Sequence, residues 1–549
     1  MVADLEKKLV WSLVSNYLNQ NDIASLARTN SFFEAEVCAP KLYETIVICK
    51  DPVMRTDKCF LDAGKSYLSG YRAVKKTPDQ NDIFLYDRIH RLLASSHLSF
   101  VKTLVIQDDV FQDKTNGHEI LQTLIDKVVE LDKIQSLDIR DNVLFERNYS
   151  KILKLSNLTS AKVININDLN NLKSLENLKK LELILTIPDF EPNCLSPNVK
   201  SVLSKKIEEL IVDDVECSSL RLFQYFQNER VHFPNVTFLK FNHVHGIHDY
   251  NKTLRELTTL FLKTVFNLDK ILRLEMEFAC EEPGCECMDD FLMDLAPRLT
   301  SLRQLGLIEK NFVSQGDHYT EENWDLVINK FILHLPRVGE QLRKLSIRHN
   351  PPLNGITTDS VEGNYIRRRT LYENVLPKLT SLQTLIAPCM LQSICAYEVL
   401  VCDLLWNGCE CSFCEKALPI FDKFLMNHQY YSYKEAEYKD IIPTVFFAYA
   451  GNAMSRRFIN QIDSDIKALS VPPITRMWDL HGYERVNHFK DFDCLFDESA
   501  YVYLTTAVSH FFNSYMDQLV VFLPNLKTCI LSGIYYTVDE KHKYECIYD

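Results

Sequence analysis

The chain has 549 residues, 46% of them apolar and 25% charged, which is the composition of a globular protein and not of a disordered one. Its net charge of −13 argues against a nucleic-acid-binding protein, because phosphate contacts need clustered Lys and Arg. Only 14 residues are glycine, about 2.6%, and folds that cradle phosphates in tight loops need many more. At about 150 residues per domain, this length predicts three or four domains, or one long body built of repeats. The N-terminus carries an early acidic residue and no long apolar run, so no secretory signal is expected. No window of about 18 apolar residues occurs, so no membrane contact is expected either. The 17 cysteines then belong to a chain of the cytosol or nucleus, as reduced thiols or metal ligands.

The first helix is predicted from Leu5, Leu9, Leu13 and Tyr17, which recur every four residues and form one apolar stripe. Asn21 or Asp22 is expected to cap a second helix carrying Ile23, Leu26 and Ala27. Phe32, Phe33 and Val37 continue the apolar pattern, followed by Leu42-Tyr43-Glu44-Thr45-Ile46-Val47-Ile48. Over residues 5–48 this order resembles the fungal F-box family. In that family a helical hairpin docks on a Skp adaptor, and a tail of this kind leads into a repeat domain. The chain departs from the family in having Leu5-Glu6 where Leu-Pro is usual, and Phe33 near the place of a usual tryptophan. The resemblance implies that Leu5, Leu9, Leu13, Leu18, Ile23, Leu26 and Phe33 carry adaptor binding.

Beyond residue 100 one phrase recurs: apolar, two residues, apolar, one residue, apolar. Val101-Lys-Thr-Leu104-Val-Ile106 and Ile134-Gln-Ser-Leu137-Asp-Ile139 are the first copies. Others begin at Leu178, Ile207, Val236, Ile271, Leu302 and Leu342, and weaker ones at Leu158, Leu382 and Leu526. Three apolar positions match by chance at roughly one site in ten at this composition. Longer shared context strengthens the pattern: Leu299-Thr-Ser-Leu-Arg-Gln-Leu beside Leu379-Thr-Ser-Leu-Gln-Thr-Leu. Asn142 and Asn350 follow the last apolar position by three, where a leucine-rich repeat places its ladder asparagine. A single repeat cannot bury its own face, so copies stack. The expected fold class is α/β: an N-terminal helical F-box hairpin followed by an irregular leucine-rich-repeat solenoid with helical insertions. The expected division is the hairpin at 1–50, a linker or N-terminal cap at 51–100, and the solenoid at 101–395. A Cys- and aromatic-rich insertion with a terminal repeat and cap completes it at 396–549.

Two clusters hold many of the cysteines, and both contain Gly-Cys-Glu-Cys, at 284–287 and 408–411. Four thiolates can bind a structural zinc ion, and C-x2-C brings two sulfurs to one metal. Cys409, Cys411 and Cys414 could supply three ligands, with Cys402 or a cysteine such as Cys285 or Cys287 as the fourth. Neither segment has the paired C-x2-C spacing of a zinc ribbon, and buried apolar cysteines remain the alternative. No other cofactor is expected.

Residues 421–449 are rich in aromatics, and 509–523 read as a helix before a last strand at about 526–531. No phosphate loop, dinucleotide fingerprint, serine-hydrolase elbow or HExxH motif occurs, so an enzyme is not expected. The F-box resemblance implies a substrate receptor that joins a target protein to a cullin-type ubiquitin ligase through the Skp adaptor. A receptor of this kind supplies effective concentration, not chemistry. Some fungal F-box proteins bind the adaptor without serving a ligase, as regulators of small GTPases or as chromosome-attachment subunits. A plain repeat-containing binding protein is the third alternative.

Overall fold

Every strand from β3 to β13 begins two residues after the first apolar position of a repeated phrase. Val101 precedes β3 (Thr103–Ile106), Ile134 precedes β4 (Ser136–Ile139) and Leu158 precedes β5 (Ser160–Val163). The series continues with β6 (Lys180–Leu185), β7 (Glu209–Asp214), β8 (Phe238–Asn242) and β9 (Arg273–Phe278). It ends with β10 (Gln304–Glu309), β11 (Lys344–Arg348), β12 (Thr384–Ala387) and β13 (Thr528–Leu531). The segment after the N-terminal helices behaves the same way, with Tyr43 two residues before β1 (Thr45–Ile48).

A computed structural model describes residues 2–15, 18, 20–49, 65–68, 79–107, 110–111, 113–185, 194–214 and 219–242. It further describes 262–278, 287–309, 324–348, 370–387, 513–531 and 534–546. The chain forms two compact units. One holds Met1–Ile184 with Pro192–Ile207, the other Leu185–Glu191 with Glu208–Asp549. Both are mixtures of helix and strand built on parallel sheet.

In the first unit the described strands lie in the order β2 (Lys65–Leu68), β1, β3, β4, β5, β6, all parallel. Helices α4 (Asp79–Ala94), α5 (Lys114–Leu131), α6 (Asn142–Ile152) and α7 (Pro197–Lys206) supply the return segments. The core joins alternate strand residues such as Leu104, Ile106, Leu137 and Ile139 to Leu124 and Ile125 of α5 and Leu144 of α6. Asp113 caps α5 by accepting from Thr115 N and Asn116 N, and Asp141 caps α6 by accepting from Leu144 N at 2.9 Å. Asn142 is therefore the exposed first residue of α6 and not a ladder asparagine, because the neighbouring carboxylate starts a helix there. Asn350 lies outside the described residues. Asn148 is the buried amide of this region. It exchanges two side-chain hydrogen bonds with Gln122 of α5.

In the second unit β7 to β13 are parallel, and β14 (Ile534–Val538) and β15 (Tyr544–Cys546) add antiparallel strands beside β13. One file of side chains runs straight across: Leu210, Leu239, Leu274, Leu305, Leu345, Leu385 and Cys529. Each is at most 1% exposed. Burying a leucine side chain contributes about 1.5–3 kcal/mol, so the repeated middle apolar position is the main source of stacking energy. The C-terminal helix covers 513–522, directly before β13. Gly339 sits where one return segment crosses the next. A Cβ there would lie 2.5 Å from the Lys378 carbonyl oxygen. The expected second helix begins earlier than Asn21. α2 spans Gln20–Ala27, with Asp22 inside its first turn, where a negative charge favours the helix dipole.

Candidate functional site

The N-terminal forty residues form α1 (Val2–Ser15), α2, a π-helical stretch (Phe33–Cys38) and α3 (Ala39–Leu42). Ile23, Val37 and Cys38 form their core, at 0 to 3% exposure. Trp11, Leu18, Leu26, Ala27, Phe32, Phe33 and Leu42 pack half-buried around it. Asn30 fixes the turn into the π-helical stretch by accepting from Phe33 N at 3.0 Å. Ser15 donates its hydroxyl to the Ser12 carbonyl at the end of α1. Burial pushes the Cys38 thiol up, so it is a packing residue and not a nucleophile.

α1 has two apolar sides. Trp11 faces inward to the core. Leu9, Val10, Leu13 and Val14 face outward at 64%, 56%, 57% and 37% exposure. At about 100° per residue these four positions share one face, opposite Trp11 and Ser15. Four large aliphatic side chains thus share one exposed face of α1. The residues expected to bind the adaptor therefore divide by geometry. Leu9 and Leu13 are surface. Leu18, Leu26 and Phe33 are half-buried. Ile23, at 0% exposure, offers no contact surface and holds the hairpin from inside. Leu5 belongs to α1, and its side chain and Tyr17 lie outside the described residues. Val10 and Val14 were not part of the expected set; a spacing of four selects one stripe and overlooks its neighbour one residue on.

Glu44 ties the N-terminal helices to the start of β3. Its carboxylate accepts from Lys41 Nζ and Lys102 Nζ, each at 3.0 Å, while its carbonyl accepts from Lys102 N and Thr103 N. Partial burial alone would raise the Glu44 pKa. The two ammonium groups overcome this and hold it below the usual glutamate value. Tyr43 stacks on His97 with ring centroids 4.7 Å apart.

A small cavity further along is lined by Gln107, Val110, Phe111, Lys114, His118, Leu121 and Asp141. His118 Nε2 lies 3.1 Å from Asp141 Oδ2. That carboxylate already caps α6, so the His118–Asp141 pair joins α5 to α6.

No family model matches the chain. A relative from Saccharomyces cerevisiae, described as "Non-SCF-type F-box protein ROY1", is 49% identical over 544 residues, covering 98% of each chain. The chain belongs to the F-box protein family. F-box proteins generally bind Skp-type adaptors. The qualifier in the relative's description runs against the expected ligase receptor and agrees with the non-ligase alternative.

Of the expected zinc ligands in this F-box protein, Cys285, Cys402, Cys409, Cys411 and Cys414 lie outside the described residues. Cys287 begins the helix Cys287–Leu295. Among the described residues no group of three or more His, Cys, Asp or Glu side chains could hold a metal ion. No helix among them is long and apolar enough to cross a membrane.

Proposed function

We propose that this protein is a non-ligase F-box scaffold. Leu9, Val10, Leu13 and Val14 of α1 dock on a Skp-type adaptor, and the repeat body holds a separate target protein. The observation that carries this is the outward apolar face of α1, set on a hairpin whose own core is already complete without it. Burying four aliphatic side chains at about 25 cal/mol per Å² is enough to anchor a partner helix or groove. The relative's description as a non-SCF-type protein, at 49% identity over nearly the whole chain, favours a complex without cullin.

The repeat body is read as a leucine-rich-repeat-type solenoid, with the hairpin at residues 1–50 and the repeats from 101 onward. The support is one parallel strand per repeated phrase, each two residues after its first apolar position. Its role is to bind and orient a target without catalysis, in the cytosol or nucleus.

Affinity purification of the full-length protein from a fungal cell tests this. Recovery of the Skp adaptor without cullin is expected. Stoichiometric cullin would return the protein to the ligase class, and absence of the adaptor would end the F-box assignment of the α1 face.

A further inference from the structure

In the second unit the chain just before β10 to β13 carries a concentration of positive charge, whereas Glu208 precedes β7 and Asp269 lies before β9, where it accepts from Thr300 Oγ1 at 3.3 Å. Three successive return segments there place a basic residue after a proline: Pro297-Arg298, Pro336-Arg337 and Pro377-Lys378. A second basic residue stands just before the strand in three of the repeats, as Arg303 before β10, Arg343 before β11 and Lys527 before β13. In residues 296–304, 335–344, 376–384 and 523–528 the lone acidic residue is Glu340. This local sign opposes the chain's net charge of −13.

Backbone bonds fix the alignment. Arg343 N donates to Arg303 O at 2.7 Å, Gln383 N to Arg343 O at 2.8 Å, and Lys527 N to Gln383 O at 2.9 Å. Arg303, Arg343, Gln383 and Lys527 thus form one file, stepping about 4.8 Å per strand. Arg303, Arg337, Arg343, Lys378 and Lys527 are all exposed, and none is in an ion pair among the described residues. On the same sheet Arg273 pairs with Glu275 and Lys240 with Glu277, so carboxylates neutralise the neighbours but not this file. The mounting is rigid. Thr380 Oγ1 donates to Gly339 O at 3.1 Å, Asn525 Nδ2 donates to Thr380 O at 2.8 Å, and Arg343 Nη1 donates to Ser381 O at 3.3 Å. Cross-braced loops lose little freedom when a ligand arrives.

We propose that this edge binds an acidic protein segment in extended form. Guanidinium groups take carboxylates in two-pronged fashion. From Arg303 to Lys527 is three strand steps, about 14 Å, close to the roughly 13 Å spanned by carboxylates at i, i+2 and i+4 of an extended chain. The four segments contain no aromatic residue. Base stacking and insertion at a membrane interface both rely on such side chains, so a single-stranded nucleic acid or a lipid surface is a poorer fit. The surface is remote in sequence from the α1 face and does not depend on adaptor binding.

The test is fluorescence anisotropy with the full-length protein and a fluorescein-labelled peptide of alternating Glu and Ser. A uridine dodecamer and phosphatidylserine vesicles serve as the competing classes. The peptide should bind, and the triple variant Arg303→Glu/Arg343→Glu/Lys527→Glu should weaken it by about tenfold or more. The triple variant Lys133→Glu/Lys154→Glu/Lys173→Glu in the first unit, with the same change in net charge, should leave binding unaltered. If the first reversal fails to fold, judged by circular dichroism and thermal melting, Arg303→Gln/Arg343→Gln must still weaken binding about threefold. Absent peptide binding, equal losses in the two triple variants, or tighter binding of the dodecamer or the vesicles would each overturn the proposal.

Discussion

Trp11 stands edge-on against Phe33, with ring centroids 4.9 Å apart and planes at 82°. This contact turns one side of α1 into the hairpin core and leaves Leu9 and Leu13 on the other. The two sides should respond differently to substitution. Leu9→Asp with Leu13→Asp is expected to abolish adaptor capture while the melting temperature stays within error, because both positions are already in water. Trp11→Ala should do the reverse first, costing roughly 2 kcal/mol of stability for a half-buried ring. Pulldown and thermal melts on the same preparations separate them. Unchanged capture by the double variant would remove Leu9 and Leu13 from the interface.

Gln122 and Asn148 form a reciprocal amide pair at 2.8 and 2.9 Å, with Asn148 also donating to Leu144 O. Asn148→Ala removes the buried amide and its bonds to Leu144 O and to Gln122, and leaves the half-buried glutamine only its contact with Asp126 Oδ1 at 2.9 Å. A loss of about 1–3 kcal/mol is expected in urea unfolding. Replacing both residues with leucine should recover part of that loss, since no polar group is then stranded.

Gly339→Ala places a methyl group against the Lys378 carbonyl oxygen. Backbone must move to accept it, and the return segments on either side are bonded to each other there. A destabilisation of about 1–3 kcal/mol follows. An unchanged denaturation midpoint would show that the segments shift freely.

Acid should loosen the join between hairpin and repeats. The Glu44 pKa is depressed in the folded protein, so its contribution is complete above the ordinary glutamate value. It is lost as pH falls through the lower folded value. Melting curves of the wild type and Glu44→Gln should differ at pH 6 and converge toward pH 3. The carboxylate is partly exposed, which limits the gap to under about 1 kcal/mol. A gap that widens on acidification would contradict the sign.

Zinc is a separate question of composition. If Cys402, Cys409, Cys411 and Cys414 hold a structural ion, elemental analysis of protein purified without chelator should find roughly one zinc per chain. Cys409→Ser with Cys411→Ser should then release it. Zinc-free protein with unaltered stability would assign these cysteines to packing.

Much of the fold was legible because a stacked strand repeats one demand. Leu305 and Leu345 occupy the same register position, and each must be apolar for its copy to stack. The short phrase therefore located every strand from β3 to β13. Strands β2 and β15 escaped it because they are the two sheet ends, where only one neighbour imposes register, and β14 because it runs antiparallel between β13 and β15, outside the series of parallel strands. Tyr536, the buried anchor of β14, belongs to no repeat. The site was half legible. Spacing identified Leu9 and Leu13 as apolar, but an isolated helix does not say which of two apolar sides its own core will take. Trp11 decided that, through a ring on a segment twenty residues away. The basic file before β10 to β13 was hidden for another reason. Its successive members, with Gln383 between Arg343 and Lys527, are 40, 40 and 144 residues apart in the chain and become neighbours only through strand pairing.

One pairing also sets a schedule for synthesis. Thr384 of β12 meets Thr528 of β13 in register, although 144 positions separate them. At about 5–20 residues per second, a ribosome needs roughly 7–30 s to deliver the partner strand. During that interval the nascent chain holds a parallel edge with unpaired amide and carbonyl groups. Such an edge invites pairing with another chain. The last strands to emerge, β13 with the antiparallel β14 and β15, close it, so truncation before residue 528 should yield a product that depends on chaperones to stay dispersed.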